Sequence, residues 1–343
     1  MRKKLKTVLL LFSLIAFVVS FLQVVQHWDY QEVLVDLDKQ LRQNVSEKDI
    51  TNAIESAINE KAFDDARMYL EIAESNQYGI DRNYYSQQIT KLDTQFVRIS
   101  NNASQFMSGF FNGKSTHAAG IAGAVTADFT VVGDVRDLHK EYKKQQQGEE
   151  VNELIVALSG VGVGLTALTV GSFGSAAPAK SGVSLIKLAS KTRRLNARFQ
   201  KQLLKLGKRV FDWDLFTRML KQSPTFTKTI KQIPRAAKKA YHPKAVEPLK
   251  TIARQVNSVR KSSSIPDTLR LLKYVETTDD LRHLEKITLK HGSKTKGMMK
   301  LVGKGALRTV RVLRKSAELL LSLISSVFSA MLSFFLMFAR RAL

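Results

Sequence analysis

The sequence contains no cysteine, which excludes disulfides and thiolate metal sites outright. It also lacks the spacings that carry common chemistry: there is no HExxH, no nucleophile elbow and no Rossmann fingerprint. The six histidines (His27, His117, His139, His242, His283 and His291) form no pair at i, i+4, so no metal site is expected. The segment Gly109-Phe110-Phe111-Asn112-Gly113-Lys114-Ser115 looks like a phosphate loop but has three residues between its glycines, where a Walker loop needs four. A loop one residue short cannot present the same cradle of backbone N–H groups. No run of residues alternates apolar and polar as a strand would. These absences favour a protein that is not an enzyme and has no cofactor.

Acidic residues are scarce as well: 30 Asp and Glu stand against 54 Lys and Arg, for a net charge of +24. The imbalance is local. Residues Gln26 to Glu150 hold 13 basic and 20 acidic side chains, whereas Lys180 to Lys315 hold 35 basic and 8 acidic. A basic block of this kind suits anionic lipid, nucleic acid, or the side of a membrane that retains Lys and Arg.

Long apolar runs decide among these. Arg2, Lys3 and Lys4 precede an apolar stretch from Leu5 through Val25, close to the ~20 residues that a helix needs to cross a bilayer. It is longer than a cleavable signal core and has only Val18-Val19-Ser20 as a passable cleavage site, so a signal-anchor over 1–25 is expected. Leu319 to Ala339 carries no charge and lies between Arg314-Lys315 and Arg340-Arg341; it forms a second anchor within 316–343.

A third run, Leu154 to Ala177, is uncharged and rich in glycine. Ala157, Gly160, Gly164, Ala167, Gly171 and Gly174 recur at alternating steps of three and four, making one stripe of small residues. Such stripes let helix backbones approach closely in lipid. The alternative is a buried glycine-rich core segment. Ala118 to Gly133 is shorter and holds Asp128, which suits a hairpin partner rather than a full crossing.

The expectation is therefore an all-α, multi-span helical membrane protein with soluble helical regions. A helical region over 26–117 would lie outside, an apolar segment over 118–179 would return the chain, and a basic helical region over 180–315 would lie in the cytoplasm. Within it, Lys191, Arg193, Arg194, Arg198, Lys201, Lys205 and Lys208 are candidates to meet anionic headgroups. Helices are expected over 30–44, 46–76, 82–100, 184–222, 267–276 and 279–291, with a proline-punctuated linker at Pro224, Pro234, Pro243 and Pro248. Segment 46–76 has the look of a single tetratricopeptide-like unit. The charged run Gly133 to Leu138 suggests that Asp134, Arg136 and Asp137 either pair across a helix hairpin or cap a helix start.

The stretch from VVGDVRDL at Val131 through ALSGVGVGLTALTVGSFGSAAPAKSGVSLIKLASKTRRL, with DDLRHLEKITLKHGSKTKGMMKLVGKGALR at Asp279, resembles a family of uncharacterised inner-membrane proteins of Gram-negative bacteria. The resemblance implies a bacterial inner-membrane location and no activity. Partners would be the bilayer, further copies of the chain or other membrane proteins. The leading expectation is a scaffold, interaction or envelope-organising protein; the alternatives are a membrane-permeabilising or transport element built on 118–177 and, less favoured, nucleic-acid binding by the basic block.

Overall fold

A computed structural model describes residues 2–27, 30–34, 36–94, 131–171, 176–221, 226–307, 309–313 and 317–341. The chain divides into two units, one of Met1–Val35 with Arg308–Leu343 and one of Asp36–Leu307. In chain order, α1 (Arg2–His27) leads into β1 (Tyr30–Leu34). The second unit opens with α2 (Leu37–Asn44) and α3 (Glu47–Asn59). The start of α3 is fixed by a reciprocal cap: Asp49 N–H donates to Ser46 Oγ at 3.2 Å, and Ser46 N–H donates to the Asp49 carboxylate at 2.9 Å. Then come α4 (Phe63–Ser75), α5 (Arg82–Leu92), α6 (Val131–Gln146), α7 (Glu153–Gly171) and α8 (Ala177–Lys191). They are followed by α9 (Ala197–Val210), α10 (Trp213–Lys221), α11 (Phe226–Ala240) and α12 (Glu247–Ser262). The unit closes with α13 (Ile265–Leu271), α14 (Thr278–His291) and α15 (Thr295–Val302). Finally, β2 (Thr309–Leu313) and α16 (Ala317–Arg341) belong to the first unit again.

The all-α class holds for nearly all of the described chain. The exception is one antiparallel ribbon, in which Tyr30 of β1 lies opposite Leu313 of β2 and Leu34 opposite Thr309. The helix expected over 30–44 is thus a strand followed by the shorter α2. The long helix expected over 184–222 is broken into α8, α9 and α10. The proline-marked linker is mostly helical: Pro234 lies inside α11, and Pro248 sits in the first turn of α12, where its missing N–H costs nothing.

The second unit is organised around α7. From Leu154 to Leu165 every residue is buried, with α6, α8, α9 and α11 packed around it. A helix that is apolar all round needs either lipid or protein on every side, and hydropathy does not distinguish the two. Here the described part of α7 is surrounded by protein, which corrects the third membrane crossing expected over 154–177. Segment 118–130 lies outside the described residues, as does the loop at 109–115.

The separation of an outer acidic region from an inner basic one is also corrected. Helix α15 packs on α2 and α4, joining the two ends of Asp36–Leu307. Lys290 Nζ lies 3.2 Å from carboxylate oxygens of both Asp36 and Asp38, and Lys296 Nζ lies 2.7 Å from Asp65. Gly297 sits so close to α4 that an added Cβ would come within 2.5 Å of Met68 Cε. The opposite charges that suggested two compartments instead attract within one folded unit.

Two backbone details yield opposite stability predictions. Gly182 of α8 faces α12 so closely that a Cβ would lie 1.8 Å from the Ala253 carbonyl oxygen. Gln77, which ends α4, adopts φ = 60°, with Tyr78 N–H donating back to Ala73 O at 3.0 Å. This left-handed position normally belongs to glycine. In thermal unfolding of the full chain, Gly182→Ala should destabilise by about 1–3 kcal/mol or more. Gln77→Gly should stabilise by up to ~1 kcal/mol, because it removes left-handed strain.

Candidate functional site

Two features stand out: the helix pair of the first unit and a buried charge cluster in the second. In the first unit α1 packs on α16. Ser20 Oγ and Ser325 Oγ lie 3.0 Å apart across the seam, at similar distances along the chain from the ribbon that ties Tyr30 to Leu313. The pair therefore runs antiparallel.

Its burial pattern is inverted. Among the described side chains of α1, the buried ones are Ser13 and Ser20; among those of α16, they are Ser326 and Ser329. The large apolar groups point outward, with Phe12 73% exposed, Phe328 69% and Phe335 70%. In water this arrangement would bury the polar groups and leave the apolar ones wet. Hydroxyls at a close helix seam with large apolar groups outside are what a hydrocarbon surrounding favours. Considering the described residues alone, no helix is long and apolar enough to cross a membrane. Sequence reading found both helices but missed the seam. The signal was present in α16, where Ser322, Ser326, Ser329 and Ser333 recur at steps of four, three and four.

The charge cluster joins α6 to α8. Asp134 and Asp137 are one helical turn apart on α6, and Lys180, Lys187 and Lys191 share a face of α8. Lys187 is fully buried, with Nζ 2.6 Å from Asp134 Oδ1 and 2.9 Å from Asp137 Oδ2. Lys191 donates to Asp137 at 2.8 Å, and Lys180 Nζ lies 3.6 Å from Asp134. Lys180 also donates to the Thr166 hydroxyl of α7. Asp134 and Asp137 thus pair between helices, though with α8 rather than across a hairpin of consecutive helices, and the exposed Arg136 lies 3.8 Å from its neighbour Asp137. Room for the cluster comes from α7: a Cβ on Gly162 would lie 2.3 Å from Asp134 Oδ2.

Burial pushes the Lys187 ammonium down, but the two facing carboxylates outweigh it and hold its pKa above the ordinary lysine value. Burial likewise works against Asp137, yet Lys187 and Lys191 keep that carboxyl below the usual range. Asp134, more deeply desolvated, is pushed up. The contribution of Asp137 is present above its unfolded pKa and lost as pH falls through its folded one. That of Lys187 is present below its unfolded pKa and lost as pH rises through its folded one. Both therefore operate across neutral pH.

The small-residue stripe serves this packing. Gly160 receives the ring of Phe211 and Gly164 that of Tyr241; a Cβ would come within 2.2 Å and 2.3 Å of them. The same two residues are held side by side by an isolated antiparallel bridge, with Asp212 N–H donating to Ala240 O at 2.9 Å. Ala157 meets Gly207 of α9. The side chain of Ala167 and the surroundings of Gly171 and Gly174 lie outside the described residues.

The candidate headgroup-binding cations scatter. Lys191 is bound to Asp137, Arg193 occupies a left-handed turn at φ = 55°, and Arg194 is half-buried. Arg198, Lys201, Lys205 and Lys208 lie exposed on α9, with Arg198 3.5 Å from Glu276 and Lys208 2.8 Å from Glu153. The apolar face of α9 (Phe199, Leu203, Gly207 and Val210) is buried in the unit, so it is not free to enter a membrane. Among the described residues, no group of three or more His, Asp or Glu side chains could hold a metal ion. No family model matches the chain, and no curated protein or solved structure matches it either.

The cluster makes a direct prediction. Lys187→Met should destabilise the full chain by about 3–5 kcal/mol, because it leaves two buried carboxylates facing each other. Adding Asp134→Leu and Asp137→Leu should recover most of that loss in denaturant titrations. An unchanged midpoint for Lys187→Met would mean that the cluster is not buried as described.

Proposed function

We propose that the chain is a non-enzymatic protein of the bacterial inner membrane, anchored by α1 and α16 as an antiparallel helical hairpin. Residues 36–307 would form a helical interaction module held at the bilayer surface. The observation that carries this reading is the inverted burial of the helix pair, serines inside and phenylalanines outside. Helix length supports it: 26 and 25 residues correspond to roughly 38 Å at 1.5 Å per residue, enough for a ~30 Å hydrocarbon core with tilt.

Two crossings in place of three change the topology. Both termini then lie on one side, and the whole of 36–307 on the other. A permeabilising or transport element built on 118–177 has less support, because protein surrounds the described part of α7.

The absence of cysteine makes the test clean, since a single introduced thiol is the only one present. Lys61→Cys and Lys261→Cys, both at exposed positions, should react with a membrane-impermeant maleimide from the same side of the inner membrane, and Lys3→Cys from the opposite side. Labelling of positions 61 and 261 from opposite sides would restore the three-crossing arrangement. Extraction of the full chain by alkaline carbonate would remove the anchor altogether.

A further inference from the structure

Two helix ends meet in the second unit, and both are basic. Helix α9 ends on Lys208, Arg209 and Val210, and α11 ends on Lys238, Lys239 and Ala240. The isolated bridge between Phe211 and Tyr241 ties them together: Asp212 N–H donates to Ala240 O at 2.9 Å, and His242 N–H donates to Val210 O at 2.8 Å. A single tight turn at Pro243–Ala245 follows, packs on α9 and adds Lys244. Arg235 lies one turn before Lys238 and Lys239 on the exposed side of α11. The rings of Phe211 and Tyr241 turn inward onto Gly160 and Gly164, while the cations that flank them stay exposed.

The acids of this region are already engaged. Glu153 holds Lys208 at 2.8 Å and Glu247 holds Lys250 at 2.7 Å. The Asp212 carboxylate accepts from Leu215 N–H at 2.9 Å and so starts α10. Among the described residues, none of Arg209, Arg235, Lys238, Lys239 and Lys244 is paired with a carboxylate. Helix C-termini favour cations, but two of them carry about −0.5 each and so account for roughly one of these five charges. The rest repel one another without internal compensation, a cost that an anionic surface relieves.

We propose that this cluster docks the second unit on anionic phospholipid headgroups. The choice of occupant rests on the anchor reading above: a tethered unit meets the bilayer surface at high effective concentration, whereas a free polyanion must be captured from solution. The apolar faces of α9 and α11 are buried in the unit, so the contact is made with headgroups and not by insertion. The rings beside the cluster, Phe211 and Tyr241, are buried as well, which leaves no platform there for stacking nucleic-acid bases. None of the five cations is among those that the sequence suggested for this role. The fold creates the cluster by bringing together the ends of two helices that are separate in the chain.

The test places one fluorophore on a His242→Cys variant of the full chain, where that thiol is the only one present. The protein is reconstituted into phosphatidylcholine vesicles that contain a trace of lipid with a nitroxide on its headgroup. Quenching should rise when about 30% phosphatidylglycerol is included, and fall back in about 0.5 M salt, where screening is nearly complete within several ångströms. Arg235→Gln, Lys238→Gln and Lys239→Gln should each lower the ratio of docked to undocked molecules about fivefold. Lys48→Gln on α3 should leave it unchanged; all four sites are exposed, so the variants keep the fold.

A second fluorophore, on Phe12→Cys with lipid brominated in its acyl chains, reads the anchor separately. Quenching there in both kinds of vesicle, with no response to phosphatidylglycerol at position 242, would overturn this proposal and keep the anchor. The reverse pattern would keep the docking surface and remove the anchor. A response indifferent to the three substitutions would also overturn the proposal, as would a short DNA duplex bound through them while phosphatidylglycerol has no effect.

Discussion

Helix α7 has no polar face, and a helix of that kind must be enclosed on every side. Enclosure by protein brings four neighbouring helices close, which is possible only where α7 gives up side chains. Gly160 and Gly164 yield to Phe211 and Tyr241 on one side. Gly162 yields to Asp134 on another, and Asp134 in turn draws Lys187 of α8 into full burial. The aromatic core of α9 and α11 and the ionic core of α6 and α8 thus depend on glycines two residues apart. Each cluster reinforces the other, because α7 cannot shift to relieve one without closing on the second.

The two units bury opposite kinds of residue. In Asp36–Leu307 the fully buried groups include Leu158, Leu165, Phe199 and Phe216, and the buried charges are paired. In the terminal unit the described buried side chains of α1 and α16 are serines, and the phenylalanines are outside. A single solvent does not favour both arrangements. Water accounts for the first; the anchor proposal is that hydrocarbon would account for the second.

Much of the local structure was legible in the sequence. The two-helix segment over 46–76 and the helix over 279–291 followed from their spacing. That second helix begins one residue earlier than expected, at Thr278, with Thr277 as its cap. What could not be read were facts that depend on partners. An all-round apolar helix has the same periodicity in lipid as in a protein core, so α7 passed for a crossing. The ribbon joins residues some 280 positions apart, and neither strand alternates enough to show alone. The basic block passed for a compartment signal because its acidic complement, Asp36, Asp38 and Asp65, lies near the other end of the unit. Of the candidate sites, the small-residue stripe was found for the wrong surroundings.

The central claim is that Asp36–Leu307 is one folded unit, with its acidic beginning packed on its basic end. Carbodiimide coupling in native membranes tests it most directly, because the reagent joins only carboxylates and amines already in contact. Peptide mass spectrometry should find Asp65 joined to Lys296, whose groups lie 2.7 Å apart, along with the local Glu247 to Lys250 link, also at 2.7 Å. Recovery of the local link without any joining 36–94 to 265–307 would contradict the account.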